Sequence, residues 1–360
     1  MSYGDYPDLV SVKKILVVKL RHLGDVLLTS PLFSLLKKRF PNATIDAYLY
    51  EESIPMLEGH PAISSFHVYP KKWKRLYFFK RLCLEGKLLL HIHRQKYDMV
   101  INLTEGDRGA IVAKVSKAPF RIGMDPQGSG MRGKKKFYTH LIKHYGSPRH
   151  MVEKNLDALR RVGIFPKAEE RSLFFHIPQE AKEKVERLLR EASVAKNNYI
   201  LIHPTSRWLY KSWPSSSFRT LILHLVEKKV HLVLCGGKED AEKKFIASIL
   251  EGIASPFLVD LSGKTTLKEM GALIEMSRLL LCVDSVSLHI ASALRAKTIA
   301  LFGPTSEILW GPWQNPNAHI LYQPYSCRPC CQDGCAGAKM SDCLFTLSVE
   351  RVLQEIEKRL

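Results

Sequence analysis

The sequence predicts an α/β protein in which two successive strand–helix series each build a parallel sheet. Three observations predict it. Short apolar, β-branched runs recur along the chain, and each ends in a polar or Gly-containing turn. Helical patterns separate the runs, and strands alternating with helices make a parallel sheet. The runs also fall into two groups, residues 15–103 and 199–302, with a stretch between them that reads as a boundary.

In the first group, residues 15–20 (ILVVKL) read as a buried strand. The turn Arg21-His-Leu-Gly-Asp25 follows, then a helical pattern over 26–40 that stops at Pro41. Residues 44–49 and 98–103 are the next strands, and the polar turn 104–108 follows the second of these. The second group comprises 199–203, 230–235, 279–283 and 298–302. Their turns are Pro204-Thr-Ser206, Gly236-Gly237, Asp284-Ser285 and Gly303-Pro304. A last helix over 348–360 opens on a Ser cap with acidic residues in its first turn. The domain boundary falls between Gly163 and Glu180 and is set at 172, giving domains 1–172 and 173–345 and a closing helical segment 346–360.

Charge separates the halves further. The chain of 360 residues carries a formal charge of +19. Residues 1–180 hold 31 Lys/Arg against 17 Asp/Glu; residues 181–360 hold 23 against 18. A one-sided basic field attracts a polyanion, which could be nucleic acid, anionic lipid or a phosphorylated glycan. Residues 71–96 interleave Lys71, Lys72, Lys74, Arg75, Lys80 and Arg81 with Trp73, Tyr77, Phe78 and Phe79. That pattern suits a membrane surface, and equally a solvated helix whose aromatic side packs on its own domain. A second basic stretch, 132–136, follows a Gly-rich segment and reads as a mobile loop. No apolar run is long enough to span a membrane, and the N-terminus has no secretory h-region. The expected location is the cytoplasm.

Ligands of parallel sheets sit at the carboxyl ends of strands, so the turns are where chemistry is sought. Asp25 lies just beyond a strand-to-helix turn. It reads either as a helix cap or as a carboxylate kept ionised by the helix dipole, able to take a proton from a hydroxyl. Thr205, Ser206 and Lys211 follow one strand and suit phosphate oxygens. Asp284 and Ser285 follow another and open a helix through His289, whose N-terminus is a natural anion site. Cys83, Cys235 and Cys282 sit in apolar contexts and read as core. Cys327, Cys330, Cys331, Cys335 and Cys343 cluster near the C-terminus; their spacing fits either zinc or thiols packed in a loop. No Gly-x-Gly-x-x-Gly follows the first strand, which argues against a dinucleotide dehydrogenase. No nucleic-acid-binding module is recognised.

The segments Lys19-Leu-Arg-His-Leu-Gly-Asp-Val-Leu-Leu-Thr-Ser-Pro31, Lys211-Ser-Trp-Pro214, Gly236-Gly-Lys-Glu-Asp240, Val283-Asp-Ser-Val-Ser-Leu-His289 and Leu301-Phe-Gly-Pro-Thr305 occur in this order. With them the chain resembles the ADP-heptose:lipopolysaccharide heptosyltransferases, glycosyltransferase family 9, from about Lys14 to the C-terminus. The closing Cys327-Arg-Pro-Cys330 and Ser341-Asp-Cys-Leu344 are similar to the heptosyltransferase III branch. The resemblance implies a GT-B fold, two facing Rossmann-like domains with the C-terminal helix crossing back to the first. It implies an inverting transfer from ADP-heptose, with no cofactor and no catalytic metal, that adds a branch to the second heptose of the lipopolysaccharide inner core.

Carried over by residue, Asp25 matches the general base. Lys211, with the helix N-terminus at Ser285, would stabilise charge on departing ADP. Thr205, Ser206, Lys211, Asp284, Ser285 and His289 match contacts to the diphosphate and sugar, and Glu239 a donor-contacting carboxylate. The first domain would bind the phosphorylated, lipid-linked acceptor; on charge, and not by the family match, Arg21, Lys71, Lys72, Arg75 and Arg132 are the candidate contacts. That places the protein on the cytoplasmic face of the inner membrane, in peripheral contact with an anionic surface and with no nucleic-acid partner. Two departures stand out: Val286 where the family has a small residue, and the bulky spacer Arg207-Trp-Leu-Tyr210. The rival expectations are the same fold and mechanism with another nucleotide-sugar donor, and a basic nucleic-acid-binding protein.

Overall fold

The computed structural model describes residues 6–143 and 146–360. The chain divides into two compact units, Met1–Phe174 and Phe175–Leu360, where the sequence reading set the boundary at 172.

The first unit runs β1 (Lys14–Lys19), α1 (Leu23–Leu27), α2 (Ser30–Arg39), β2 (Thr44–Tyr50), β3 (Ser65–Tyr69), α3 (Phe78–Arg94), β4 (Met99–Asn102), α4 (Asp107–Ser116), β5 (Phe120–Met124), β6 (His140–Ile142) and α5 (Met151–Arg160). Among the described residues its strands form one parallel sheet in the order β3-β2-β1-β4-β5-β6. The helix expected over 26–40 is two helices. Pro31 sits in the first turn of α2, where its missing N–H costs nothing, whereas the same residue inside one continuous helix would remove a bond and clash. β1 and β4 are buried over almost their whole length, as expected of central parallel strands covered on both faces. Gly109 of α4 allows the close approach of Asn102; a Cβ there would lie 2.2 Å from Asn102 Oδ1. The Asn102 amide donates to Thr104 O (3.0 Å) and its carbonyl accepts from Thr104 N (3.0 Å), which shapes the turn after β4.

The second unit runs α6 (Gln179–Glu191), β7 (Ile200–His203), α7 (Ser215–Glu227), β8 (Leu232–Leu234), α8 (Asp240–Leu250), β9 (Leu258–Asp260), α9 (Leu267–Met276), β10 (Leu279–Val283), α10 (Val286–Ala293), β11 (Thr298–Leu301), α11 (Glu307–Trp310), β12 (Ala318–Leu321), α12 (Asp342–Phe345) and α13 (Val349–Glu357). Its parallel sheet has the order β12-β11-β10-β7-β8-β9. Trp213 anchors the core. It is fully buried, stands edge-on to Phe218 and donates from Nε1 to Leu347 O at 2.9 Å. The cap expected at Ser348 is made: its side chain accepts from Arg351 N. Val352 and Ile356 of α13 lie in the second unit's core, in the cluster that holds Leu221 and Leu225 of α7.

Other expectations are corrected. Strands β3, β5, β6, β9 and β12 were not read from sequence, because they are short and carry polar residues toward the sheet flanks. Cys83 is exposed on α3, while Cys235 and Cys282 are buried as expected. The apolar neighbours of Cys83 belong to a helix with a solvent-facing side. Residues 132–136 are not simply a loop. Lys134 begins a short 3₁₀ turn, is 4% exposed, donates to Glu105 O and pairs with Asp107 at 3.2 Å.

Candidate active site

Each sheet reverses its winding direction once, and that reversal opens the crevice where ligands of open α/β sheets bind. In the first unit the reversal lies between β1 and β4. Leu20 N there donates to Thr104 Oγ1 at 2.8 Å, and Arg21 pairs with Glu105 at 2.5 Å. Asp25 lies in the first turn of α1, half-buried. It is not the cap: His22 holds that position with extended backbone. The cap reading of Asp25 is therefore set aside, and its carboxylate has no hydrogen bond from any described residue.

Below this crevice is a residue the sequence reading passed over. Lys19 ends β1 and is 3% exposed. Its ammonium donates to Asn155 Oδ1 (3.1 Å) and Leu103 O (3.3 Å). Burial lowers its pKa to about 8, against the attraction of Asp25, which raises it. The available signal was a single charge inside an otherwise apolar strand; a lysine in such a run has to find partners or lose its proton.

The remaining first-unit candidates lie in the short 3₁₀ turn Lys71–Arg75 and at Arg132. Lys71 pairs with Glu52 and sits 4.6 Å from the Tyr50 ring centre. Lys72, Arg75 and Arg132 are exposed. The segment before and along α3 carries large apolar side chains into solvent, with Tyr77 89% and Phe79 83% exposed.

In the second unit the reversal lies between β7 and β10, and most of the expected donor residues stand there. Lys211 Nζ is 2.8 Å from Asp284 Oδ2, with the two side chains 17% and 5% exposed. Asp284 follows β10 directly, and Ser285 holds the cap position of α10. The Ser285 hydroxyl does not close onto the helix backbone. It pairs with Ser287 Oγ at 2.8 Å and lies 3.5 Å from His203 Nδ1. His203 ends β7; burial lowers its pKa, with Glu242 opposing. Thr205 is fully buried and donates to Glu242 Oε2 at 2.5 Å, and Gly237 N donates to the same oxygen at 3.1 Å. Gly237 permits this, since a Cβ there would fall 2.4 Å from Glu242 Oε1. Ser206 Oγ accepts from Trp208 N at 3.4 Å. His289 is 4% exposed, one turn into α10. Glu239 is exposed at the cap position of α8, without a side-chain cap bond.

His203 and Glu242 were not singled out from sequence. A histidine ending a strand and a glutamate in the first turn of a helix are both common, and only the fold sets them beside Thr205 and Ser285. Thr305, at the end of β11, is 8% exposed with Oγ1 unpartnered. A buried hydroxyl with no partner is costly, and one at a strand end fits a site that a ligand completes. The exposed spacer residue Trp208 stacks on Tyr210, ring centres 6.4 Å apart. Among the described residues no group of three or more His, Cys, Asp or Glu side chains is arranged to hold a metal ion. Of the C-terminal thiols, Cys343 is buried, Cys330 partly so, and Cys327, Cys331 and Cys335 are exposed.

A family described as glycosyltransferase family 9 (heptosyltransferase) matches residues 86–340. Lipopolysaccharide heptosyltransferase 3 of Escherichia coli is 33% identical over 296 residues, covering 82% of this chain and 85% of that protein. A glycosyl transferase family 9 structure from Veillonella parvula superposes with a TM-score of 0.79 at 22% identity, covering 96% of this chain and 97% of the other. The E. coli ADP-heptose lps heptosyltransferase II structure gives 0.76 at 20% identity, covering 96% and 98%. The structural likenesses establish the shared GT-B fold, and the sequence matches go further: the chain belongs to glycosyltransferase family 9, the heptosyltransferases.

Proposed function

We propose that the protein transfers heptose from ADP-heptose to the inner core of lipopolysaccharide, as a branch on the second core heptose. The observation that carries this reading is the Lys211–Asp284 pair at the second unit's strand reversal, 2.8 Å apart and flanked by Thr205 and Ser285. A lysine, hydroxyls and a helix N-terminus at one strand-end crevice suit a nucleoside diphosphate. The names of the E. coli relatives supply the heptose donor and the lipopolysaccharide acceptor, and the third-heptosyltransferase relative supports the branch.

In this reading the donor lies in the second unit and the acceptor in the first. Asp25 takes the proton of the attacking hydroxyl as the new glycosidic bond forms, and the bond to ADP breaks with inversion. Lys211 and the N-terminus of α10 stabilise the charge on the departing diphosphate. Glu239 contacts the nucleoside. The chain's own groups account for these steps without a cofactor or a catalytic metal. The protein works at the cytoplasmic face of the inner membrane. Exposed Tyr77, Phe78 and Phe79 beside Lys72, Lys74 and Arg75 support contact with an anionic bilayer.

The test is purified protein with ADP-heptose and heptose-deficient inner-core acceptors, products read by mass spectrometry. A heptose added to the second core heptose is the expected product, lost in Asp25→Asn while ADP still binds. Turnover of a different nucleotide sugar, with no product from ADP-heptose, would overturn the donor. Co-sedimentation with vesicles containing anionic phospholipid, abolished in Phe78→Ser/Phe79→Ser, tests the membrane contact.

A further inference from the structure

The first unit contains a cavity of about 340 Å³ walled by Tyr48, Tyr69, Glu85, Leu89, Asp107, Arg108 and Ile111. Its volume is toward the lower end for small-molecule sites. Tyr69 ends β3 and Arg108 lies in the first turn of α4, just beyond β4. The cavity therefore belongs to the ligand-binding edge of the sheet. The sequence reading had marked the turn 104–108, which supplies Arg108, but not the residues Tyr48, Tyr69, Leu89 and Ile111.

Two polar atoms in the wall have no hydrogen bond from the described residues, and neither is sealed from solvent. Tyr48 is 2% exposed, and its hydroxyl has no hydrogen bond among the described residues. Burial holds this phenol well above its ordinary pKa, so it is a neutral donor and acceptor. Glu85 spends one oxygen twice: Tyr69 donates its hydroxyl to Oε1 at 2.6 Å, and Arg108 Nη2 donates to the same atom at 3.0 Å. Oε2 has no hydrogen bond among the described residues. Arg108 is held in place by that bond and by the Tyr69 ring, 4.1 Å from the guanidinium.

This is the wall chemistry of a sugar subsite. A carboxylate oxygen accepts from ring hydroxyls, and a fixed guanidinium and a phenol donate to them. The apolar side chains of Leu89 and Ile111 cover the C–H face of a pyranose. The wall itself carries two carboxylates, Glu85 and Asp107, and one guanidinium, Arg108; outside it Arg81 lies 4.0 Å from Glu85 and Lys134 3.2 Å from Asp107. Two carboxylates in the wall suit the hydroxyls of a neutral polyol and repel an anion.

We propose that this cavity binds one neutral sugar ring of the acceptor saccharide, through Tyr48, Glu85 and Arg108. The proposal rests on the reading that the first unit takes the glycan acceptor. The test uses the full chain and a delipidated inner-core oligosaccharide as probe, by titration calorimetry and by steady-state kinetics. Tyr48→Phe keeps the packing and removes only the unpartnered hydroxyl. It should raise the acceptor KM about 5-fold, the value of one hydrogen bond, with kcat and ADP affinity unchanged. Arg108→Lys, which loses the planar fork, should raise it about 10-fold. Ile111→Trp removes no polar group and fills the space; it should weaken the oligosaccharide most while still binding ADP. Oligosaccharide binding by all three variants at wild-type affinity overturns the subsite and leaves the proposed function standing. Failure of the wild-type protein to bind any inner-core oligosaccharide overturns both.

Discussion

Lys211 Nζ and Asp284 Oδ2 lie 2.8 Å apart at the strand reversal of the second unit, the lysine 17% and the aspartate 5% exposed. The pair presets a cation where a diphosphate is proposed to bind. Removing one member leaves the other buried and uncompensated, which costs 3–5 kcal/mol for fully enclosed pairs. With the lysine partly solvated, Lys211→Ala is expected to destabilise the protein by about 2 kcal/mol and to weaken ADP at least 10-fold. Lys211→Met combined with Asp284→Leu should recover most of the stability and none of the ADP affinity. Chemical denaturation and calorimetric titration check both, and recovery of ADP binding in the double variant would remove Lys211 from the site.

Glu239 and Glu242, on either side of Asp240, divide their work. Glu242 accepts from Thr205 and from Gly237 N, so Glu242→Ala should lower stability by about 1–3 kcal/mol through the stranded buried hydroxyl. Glu239 is exposed and makes no cap bond. Glu239→Ala should leave the melting temperature unchanged and weaken ADP-heptose about 5-fold, as for one lost hydrogen bond. An unchanged donor affinity would transfer the nucleoside contact to another group.

Lys19 gives a pH signature with a definite sign. Its pKa is lowered from 10.5 to about 8 in the folded protein. Between those values the unfolded chain binds the extra proton, so this residue makes stability rise as pH rises through that window. The burial cost is fully present below about pH 8 and relieved toward 10.5. Compared with Lys19→Met, the wild type should gain stability from pH 8 to 10.5, measured by denaturant unfolding at each pH. A stability difference that stays constant across the window would mean that Lys19 is not held against its charge.

Trp213 is expected to be the most sensitive core position of the second unit. It loses a fully buried indole, an edge contact with Phe218 at 5.1 Å and the bond to Leu347 O when truncated. Trp213→Ala should cost about 3–5 kcal/mol, seen as a shift in the denaturation midpoint with little change in slope. Trp213→Phe, which keeps the ring, should cost less.

How much was legible depended on whether the signal was local. The central strands β1, β2, β4, β7, β10 and β11 were read nearly in place, because burial on both faces forces continuous apolar runs. The flanking strands were missed: β9 and β12 are only partly buried and their residues are mixed. Lys211, Asp284 and Ser285 were found because each follows a strand, and the structure brings them to one crevice. Lys72, Arg75 and Arg132 were chosen on charge alone, and they are exposed.

By itself the sequence determined the fold class, the two-unit division and the family, since all three rest on periodicity and on ordered motifs carried within short segments. The tertiary structure decided the pairings. Glu242 takes Thr205, Asn155 takes Lys19 from 136 residues away, and Tyr48 is left without a partner beside Arg108. It also removed Asp25 from the cap position and gave it to His22. These outcomes depend on which strand ends become neighbours, and that is set by sheet order and burial rather than by any stretch of residues read alone.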